Sequence, residues 1–289
     1  MEIININKVN LNEEGKLIPP DVAENIGRLW VRGIVVDEFK GDKSTGGIVW
    51  EYKNAEDDET DTEAEIIWAA GESKEVLNVL LEAYRDEVQA ESAVRSTFEL
   101  PLAQNTTLIE EVFSGDGFEI ATAESRDIYV TVKDLMGLKL GKGKPAFYIK
   151  ALKELSTRQF KNGIIDVIFR GRKGLLEDIA WVSADRFEPD ISSCVVMDDI
   201  VKGFFLIHKT ATGILVAELL FSVEVEKGKT ILELIRFTLG ETIKKYPPET
   251  KILLRRHNGL VHSLVKKLFP AKKGEEVISG NRPEEAGGI

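Results

Sequence analysis

Glycine, lysine and threonine stand together at 228–230, in EVEKGKTILELI, where strand-like residues give way to a helical pattern. The first N–H groups of a helix have no partner inside it, and the aligned peptide dipoles leave that end positive. Glycine there lets the main chain approach an anion closely, so the chemistry on offer is phosphate binding. A nucleotide P-loop is excluded, because it needs a glycine five residues before Gly228 and that position is Val223, inside a strand pattern. Thr230 and Glu233 also have the spacing of a capping box, worth about 1 kcal/mol to the helix, which accounts for the same residues without a ligand. Lys227 and Lys229 favour the anion reading, since a helix N-terminus ordinarily selects acids.

A second candidate is Glu218, the sole charge in the apolar run ILVAELLFS. Burial there would raise its proton affinity toward that of a useful general base. A buried carboxylate paired with an arginine or lysine fits the same pattern. Three histidines and one cysteine offer no metal-ligand spacing, and Cys194 in ISSCVVM reads as a buried strand thiol. The acidic stretch KNAEDDETDTEAE lacks the Asp/Asn and Gly spacing of a calcium loop.

These residues need a scaffold, and 289 residues suit two domains of about 140 each. No apolar run reaches the ~20 residues of a membrane span, the N-terminus lacks a signal-peptide pattern, and one cysteine fits a reducing compartment. The expected location is therefore cytoplasmic. Residues 1–138 hold 30 acids and 12 bases, a balance of −18, whereas 139–289 carry +7. The acidic total argues against nucleic-acid binding, while the basic half suits an anionic ligand.

In the first half, RLWVRGIVVDEF, GGIVWEY and AEIIWAAG read as strands. Leu77, Leu80, Leu81, Tyr84 and Val88 then share one face of a helix. RSTFELP is a strand, NTTLIEEVF a short helix, and GFEIATAE with RDIYVTVKDL a closing hairpin. GLKLGKGKP has linker composition. In the second half, Ile149, Leu152, Leu155 and Phe160 suggest a helix, and Leu175, Leu176, Ile179 and Trp181 the packed face of another. ISSCVVM, GFFLIHK and GILVAELLFSV follow as strands, then a helix presenting Ile231, Leu234, Ile235, Thr238, Leu239 and Ile243. TKILLRR is a strand and NGLVHSLVKKLF a last helix. PAKKGEEVISGNRPEEAGGI has the composition of a flexible tail.

Both halves thus run through hairpin strands, a long strand, a turn, a long amphipathic helix, a strand and a short helix. This order resembles the GNAT superfamily of acyltransferases, here in tandem. NTTLIEEVFSGDGFEI is similar to that family's late helix, with Phe113 at the tyrosine position and Gly117-Phe118 as its Gly-Phe. The family's pyrophosphate turn, Arg/Gln-x-x-Gly-x-Gly/Ala, matches Val225 to Thr230, with Gly228 as the central glycine. In the first half it matches Trp68 to Ser73 around Gly71, where Glu72 would oppose a phosphate.

The resemblance implies an α/β fold of two GNAT-like domains, each a mixed, mainly antiparallel sheet flanked by helices. The expected divisions are 1–138, a degenerate acidic domain; 145–270, a basic domain; and 271–289, a flexible tail. The implied activity is acyl-CoA-dependent N-acetylation of a small-molecule or peptide amine, with no nucleic-acid, membrane or metal partner. Acetyl-CoA would lie against Val223, Val225, Lys227, Gly228, Lys229 and Thr230, with Glu218 as candidate base and the acidic domain shaping the acceptor site. The implied late-helix acid is missing: its position is Val265, one turn from His262. A non-catalytic interaction or structural module on the same fold is the alternative.

Overall fold

The computed structural model describes residues 1–37, 44–54, 61–102, 106–138, 146, 148–169, 181–223, 227–255 and 259–284. Val225, the linker at 139–145, residues 55–60 of the acidic stretch, and Leu175, Leu176 and Ile179 lie outside them. Two compact units result: Met1–Ser125 with Glu275–Ile289, and Arg126–Gly274.

Unit 1 opens with β1 (Glu2–Asn5), α1 (Leu11–Glu14) and α2 (Pro20–Ala23), followed by β2 (Val31–Asp37), β3 (Ser44–Asn54) and β4 (Thr62–Gly71). Helix α3 (Lys74–Ala90), β5 (Arg95–Pro101), α4 (Thr106–Gly115) and β6 (Glu119–Glu124) complete this part of the chain. The expected face of α3 is the buried one, joined by Val76, and Ser73 caps its N-terminus by accepting from the Val76 N–H. This face covers Ile48, Trp50, Ala64 and Ile66 of the sheet. The other sheet face, with Val35 and Val49, is covered by Leu11 of α1 and Val22 of α2.

Unit 2 contains β7 (Ile128–Thr131), α5 (Val132–Met136), β8 (Ile149–Ala151), α6 (Thr157–Phe169), β9 (Ser193–Met197), β10 (Ile200–Lys209) and β11 (Leu215–Ser222). Then come α7 (Lys227–Lys245), β12 (Lys251–Leu254) and α8 (Gly259–Leu268). The helix expected from Ile149 onward is instead a strand followed by a 3-10 turn, and α6 begins only at Thr157. Ser156 and Gln159 set that start: the Gln159 N–H donates to Ser156 Oγ while Gln159 Oε1 accepts from the Ser156 N–H. Trp181, expected to pack inward, is 78% exposed. Helix α7 docks on β9 through hydroxyls, with Ser193 and Thr238 in contact at 2.8 Å.

The sheets run β1-β2-β3-β4-β5-β13-β6 and β7-β12-β11-β10-β9-β8. Among the described residues only β4–β5 and β11–β12 are parallel pairs. The strand between β5 and β6 is β13 (Glu276–Pro283), from the end of the chain. This corrects two expectations. Residues 276–283 of the segment read as a flexible tail form an interior strand of unit 1, and the expected hairpin of β6 with β7 does not form. Instead β6 pairs with β13 from Glu124↔Glu276 to Glu119↔Asn281, and β7 pairs with β12 from Thr131↔Lys251 to Ile128↔Leu254. The division therefore falls at 125/126 and 274/275, not at 138 and 270. The chain leaves and re-enters unit 1 at neighbouring points, since the Ser125 N–H donates to the Glu275 carbonyl at 2.8 Å. Unit 2 is in effect an insertion between β6 and β13.

Cys194 is fully buried, and burial, with Glu154 nearby, pushes its thiol up to about 12. In native protein at pH 8 it is expected to stay unreactive toward a disulfide thiol reagent, and to react stoichiometrically once unit 2 is unfolded in denaturant. Rapid labelling without denaturant would contradict this burial.

Candidate functional site

Each long central strand carries a one-residue bulge. Between β3 and β4 the register passes from Val49↔Trp68 to Trp50↔Ile66, leaving Ile67 as the extra residue. Between β10 and β11 it passes from Leu206↔Leu219 to Ile207↔Ala217, leaving Glu218 extra. The parallel ladder to the next strand ends just before each bulge, at Ile66↔Phe98 and Ala217↔Leu254. A bulge bends and twists its strand, and in unit 1 β5 continues past Phe98 without pairing to β4. The two units thus carry a bulge in the same place, with different residues at it.

In unit 1 the turn after the bulged strand is closely packed. Gly71 is buried, and a side chain there would meet Leu77 Cγ at 2.8 Å, so α3 packs directly on the strand end. Two residues join β4 to α3, and the Glu72 N–H is already bonded to the Thr45 carbonyl. Lys74 at the start of α3 pairs with Glu111 of α4, closing the gap between the helices. At the family's tyrosine position, Phe113 is buried among Phe98 and Phe118. The bulge residue, Ile67, cannot ionise.

In unit 2 the corresponding helix start is open. Val223 is half-buried just past β11, and its N–H donates to the Lys202 carbonyl at 2.8 Å. Helix α7 begins at Lys227; among the described residues a side chain added at Gly228 would meet no atom within 4 Å, and Lys229 is exposed. Thr230 is buried inside the first turn, three residues past the helix start, and Glu233 pairs with Arg236. The Thr230–Glu233 capping box is therefore not formed; the helix extends back through the lysines and glycine.

Glu218 lies on the opposite sheet face from α7. Leu215 and Ala217 pack toward α7, with Leu234 and Ile235, whereas Leu219 packs toward α6, with Phe160 and Ile164. The bulge sets Glu218 and Leu219 on the same, α6-facing side. There Arg186, in the 3-10 turn Ala184–Arg186, reaches the carboxylate: Nη2 lies 2.7 Å from Oε1, and Nε lies 3.3 and 3.5 Å from the two oxygens. The side chains are 15% and 10% exposed. Sequence reasoning missed Arg186. SADRFEP has no periodicity that would place it, and only the fold brings it 32 residues along the chain to Glu218. On α8, Val265 is buried in the core and His262 is exposed, so neither stands out as an acid.

No family model and no curated protein matches the chain in sequence. Solved structures do match in fold: a tandem GNAT protein from the clavulanic acid biosynthesis pathway covers 98% of both chains, with a TM-score of 0.56 at 8% identity. The fold is that of a tandem GNAT protein. A conserved protein of unknown function from Enterococcus faecalis V583, described as a probable N-acyltransferase, shares it at TM-score 0.51 and 12% identity, over 99% of this chain and 73% of that one. A GCN5-related N-acetyltransferase from Sphaerobacter thermophilus does so at 0.50 and 13%, over 99% and 97%. The expected class, two mixed and mainly antiparallel sheets flanked by helices, is the observed one. Within this tandem GNAT fold the seventh strand of unit 1 is β13, and β7 takes the equivalent place beside β12. Among the described residues no helix is long and apolar enough to cross a membrane, and no three His, Cys, Asp or Glu side chains group as a metal site.

Proposed function

We propose that this protein is an acyl-CoA-dependent N-acetyltransferase and that unit 2 performs the chemistry. The observation that carries this reading is the contrast between the two bulged strands and the helix starts that follow them. Unit 2 has a first helical turn with room at Gly228 on one face of its sheet and a carboxylate at the bulge on the other. Unit 1, with Gly71 packed under Leu77 and Ile67 at the bulge, keeps the fold without the site.

Acetyl-CoA, when bound, supplies an acetyl group activated as a thioester. The first-turn N–H groups of α7, at Gly228, Lys229 and Thr230, would hold its diphosphate, with Val223 just past the end of the preceding strand. The acceptor is a small-molecule or peptide amine arriving on the α6 side. Glu218 accepts the proton lost by the amine nitrogen as its bond to the acetyl carbon forms and the carbon–sulfur bond breaks. A thiol ionises near pH 8.5, so the departing thiolate makes a modest demand on an acid, in keeping with the apolar Val265 on α8.

The test is thermal denaturation with acetyl-CoA. At a ligand concentration 100 times Kd the apparent stability is expected to rise by about 2.7 kcal/mol. An unchanged melting curve at millimolar acetyl-CoA would sink the proposal.

A further inference from the structure

We infer that Arg186 is a positioning residue that holds the Glu218 carboxylate charged and fixed on the α6-facing side of the sheet. The inference rests on the reading of unit 2 as the acetyl-transferring unit and deepens it. A lone glutamate on an otherwise apolar strand tends to take up a proton, because burial penalises the charged form. A guanidinium within hydrogen-bonding distance opposes that tendency and fixes the carboxylate plane. Glu218 is then already negative when an amine reaches it, and attracts the positive charge that develops on the attacking nitrogen.

The arginine is rigid at its base. The Arg186 N–H donates to the Ser183 carbonyl, and the Arg186 carbonyl contacts His208 Nδ1 of β10 at 3.0 Å. The next residue, Phe187, is 1% exposed in the α6-side core and bridges to His208. The Glu188 N–H then donates to the Ile207 carbonyl at 2.8 Å. The turn is therefore pinned to β10, the strand opposite the bulge. Glu218 is fixed from its own side as well, since the ladder contacts at Leu219 and Ala217 hold it on this face. A surface ion pair would need neither constraint.

The charged groups on the described elements around the bulge are Asp185, Arg186 and Glu188 on the turn, Lys202, His208 and Lys209 on β10, and Arg158, Lys161 and Asp166 on α6. Lys161 Nζ is bound to the Val182 carbonyl at 3.0 Å. Beyond β12, Arg255 faces Asp127 at 4.0 Å. Helix α7, with Lys229, Glu233 and Arg236 among its charges, covers the other sheet face. Among the described residues, Arg186 reaches both Glu218 oxygens.

The experiment follows the Glu218 carboxyl carbon by NMR in full-length protein labelled with [13C]glutamate, assigned with E218Q and titrated from pH 3 to 9. In R186Q its midpoint is expected to move up by about one pH unit or more relative to wild type. In R186K, which keeps the charge but loses the two-point contact, the move is expected to be smaller. Acetyl-CoA stabilisation, measured by thermal shift on the same samples, is expected to persist in both variants, because the diphosphate end lies on the other face. A midpoint unchanged in both variants overturns the inference, whatever acetyl-CoA does. Loss of the acetyl-CoA increment together with cooperative melting in both variants also overturns it, assigning Arg186 to support of the fold. If R186Q does not fold, the R186K titration decides. Absence of acetyl-CoA stabilisation in wild type defeats the acetyltransferase reading separately, leaving the Arg186–Glu218 coupling to be judged by the titration.

Discussion

Replacing Arg282 with alanine is expected to destabilise unit 1 by about 3–5 kcal/mol, the cost of breaking a buried ion pair. Arg282 is 6% exposed on β13. Its Nη1 donates to Asp116, while Nη2 and Nε reach Glu284 Oε1 at 2.6 and 3.0 Å. The guanidinium carbon lies 4.6 Å from the centroid of Phe118. Glu284 also accepts from Ser96 Oγ, which in turn accepts from the buried Tyr84 hydroxyl at 2.8 Å. Removing the arginine would strand two enclosed carboxylates, and Asp116 would keep only the half-exposed Arg85. Lysine at 282 is expected to recover part of the loss, because it restores the charge without the forked donors.

The measurement is denaturant unfolding with two probes. Three of the four tryptophans, Trp30, Trp50 and Trp68, lie in unit 1, and Trp50 is 1% exposed, so fluorescence reports mainly that unit. Cys194 protection reports unit 2. The fluorescence midpoint is expected to fall in R282A while the thiol midpoint stays in place. A fluorescence change below 1 kcal/mol would mean that β13 is not anchored by this network. Gly280 makes a second check on the same strand. Its Cα lies so close to Phe98 that a side chain would overlap the ring, and Gly280→Val is expected to reproduce the loss of unit 1.

The second large effect separates the two glycines that occupy equivalent turns. Gly228→Asp is expected to leave the free protein as stable as wild type, or slightly more so, because the added atoms meet open space and a carboxylate suits a helix N-terminus. The same charge repels a diphosphate, so the acetyl-CoA increment of about 2.7 kcal/mol at 100 times Kd is expected to vanish. Gly71→Ala should do the reverse. Its new methyl lies 2.8–2.9 Å from Leu77 side-chain atoms, and overpacking of this kind costs typically about 1–3 kcal/mol in unit 1. The acetyl-CoA increment is expected to survive that change. Thermal shifts of both variants with and without acetyl-CoA make the comparison. Persistence of the increment in Gly228→Asp would remove the α7 turn from the ligand site.

Much of the fold was legible because its signals are local. The period of Leu77, Leu80, Leu81, Tyr84 and Val88 fixes which face of α3 is buried, and Leu234, Ile235 and Leu239 do the same for α7. The β-branched runs that become β2, β3, β10 and β11 need no knowledge of their neighbours to be read as strands. Local signals also misled. At Ile149–Leu155 the apolar spacing suits a helix, yet the reciprocal Ser156–Gln159 bonds start α6 only afterwards. Thr230 and Glu233 have capping-box spacing, yet α7 begins three residues earlier and Glu233 binds Arg236 instead.

The sequence by itself determined the element types, the tandem order and the two glycine turns, because helix and strand periods are set by residues within a few positions of one another. Tertiary structure decided which strand completes each sheet and what stands beside Glu218. β13 reads as a polar tail because its inward-facing residues include Gly280, which makes room for Phe98, and Arg282, whose charge is burial-compatible only beside Asp116 and Glu284. Glu218 reads in sequence either as a base or as a carboxylate paired with an unidentified cation, until β10 pins the Arg186 turn against it. A buried charge is neutralised by a partner distant in the chain, and a strand edge is satisfied by whichever strand the fold delivers. Neither partner leaves a periodic mark on the sequence.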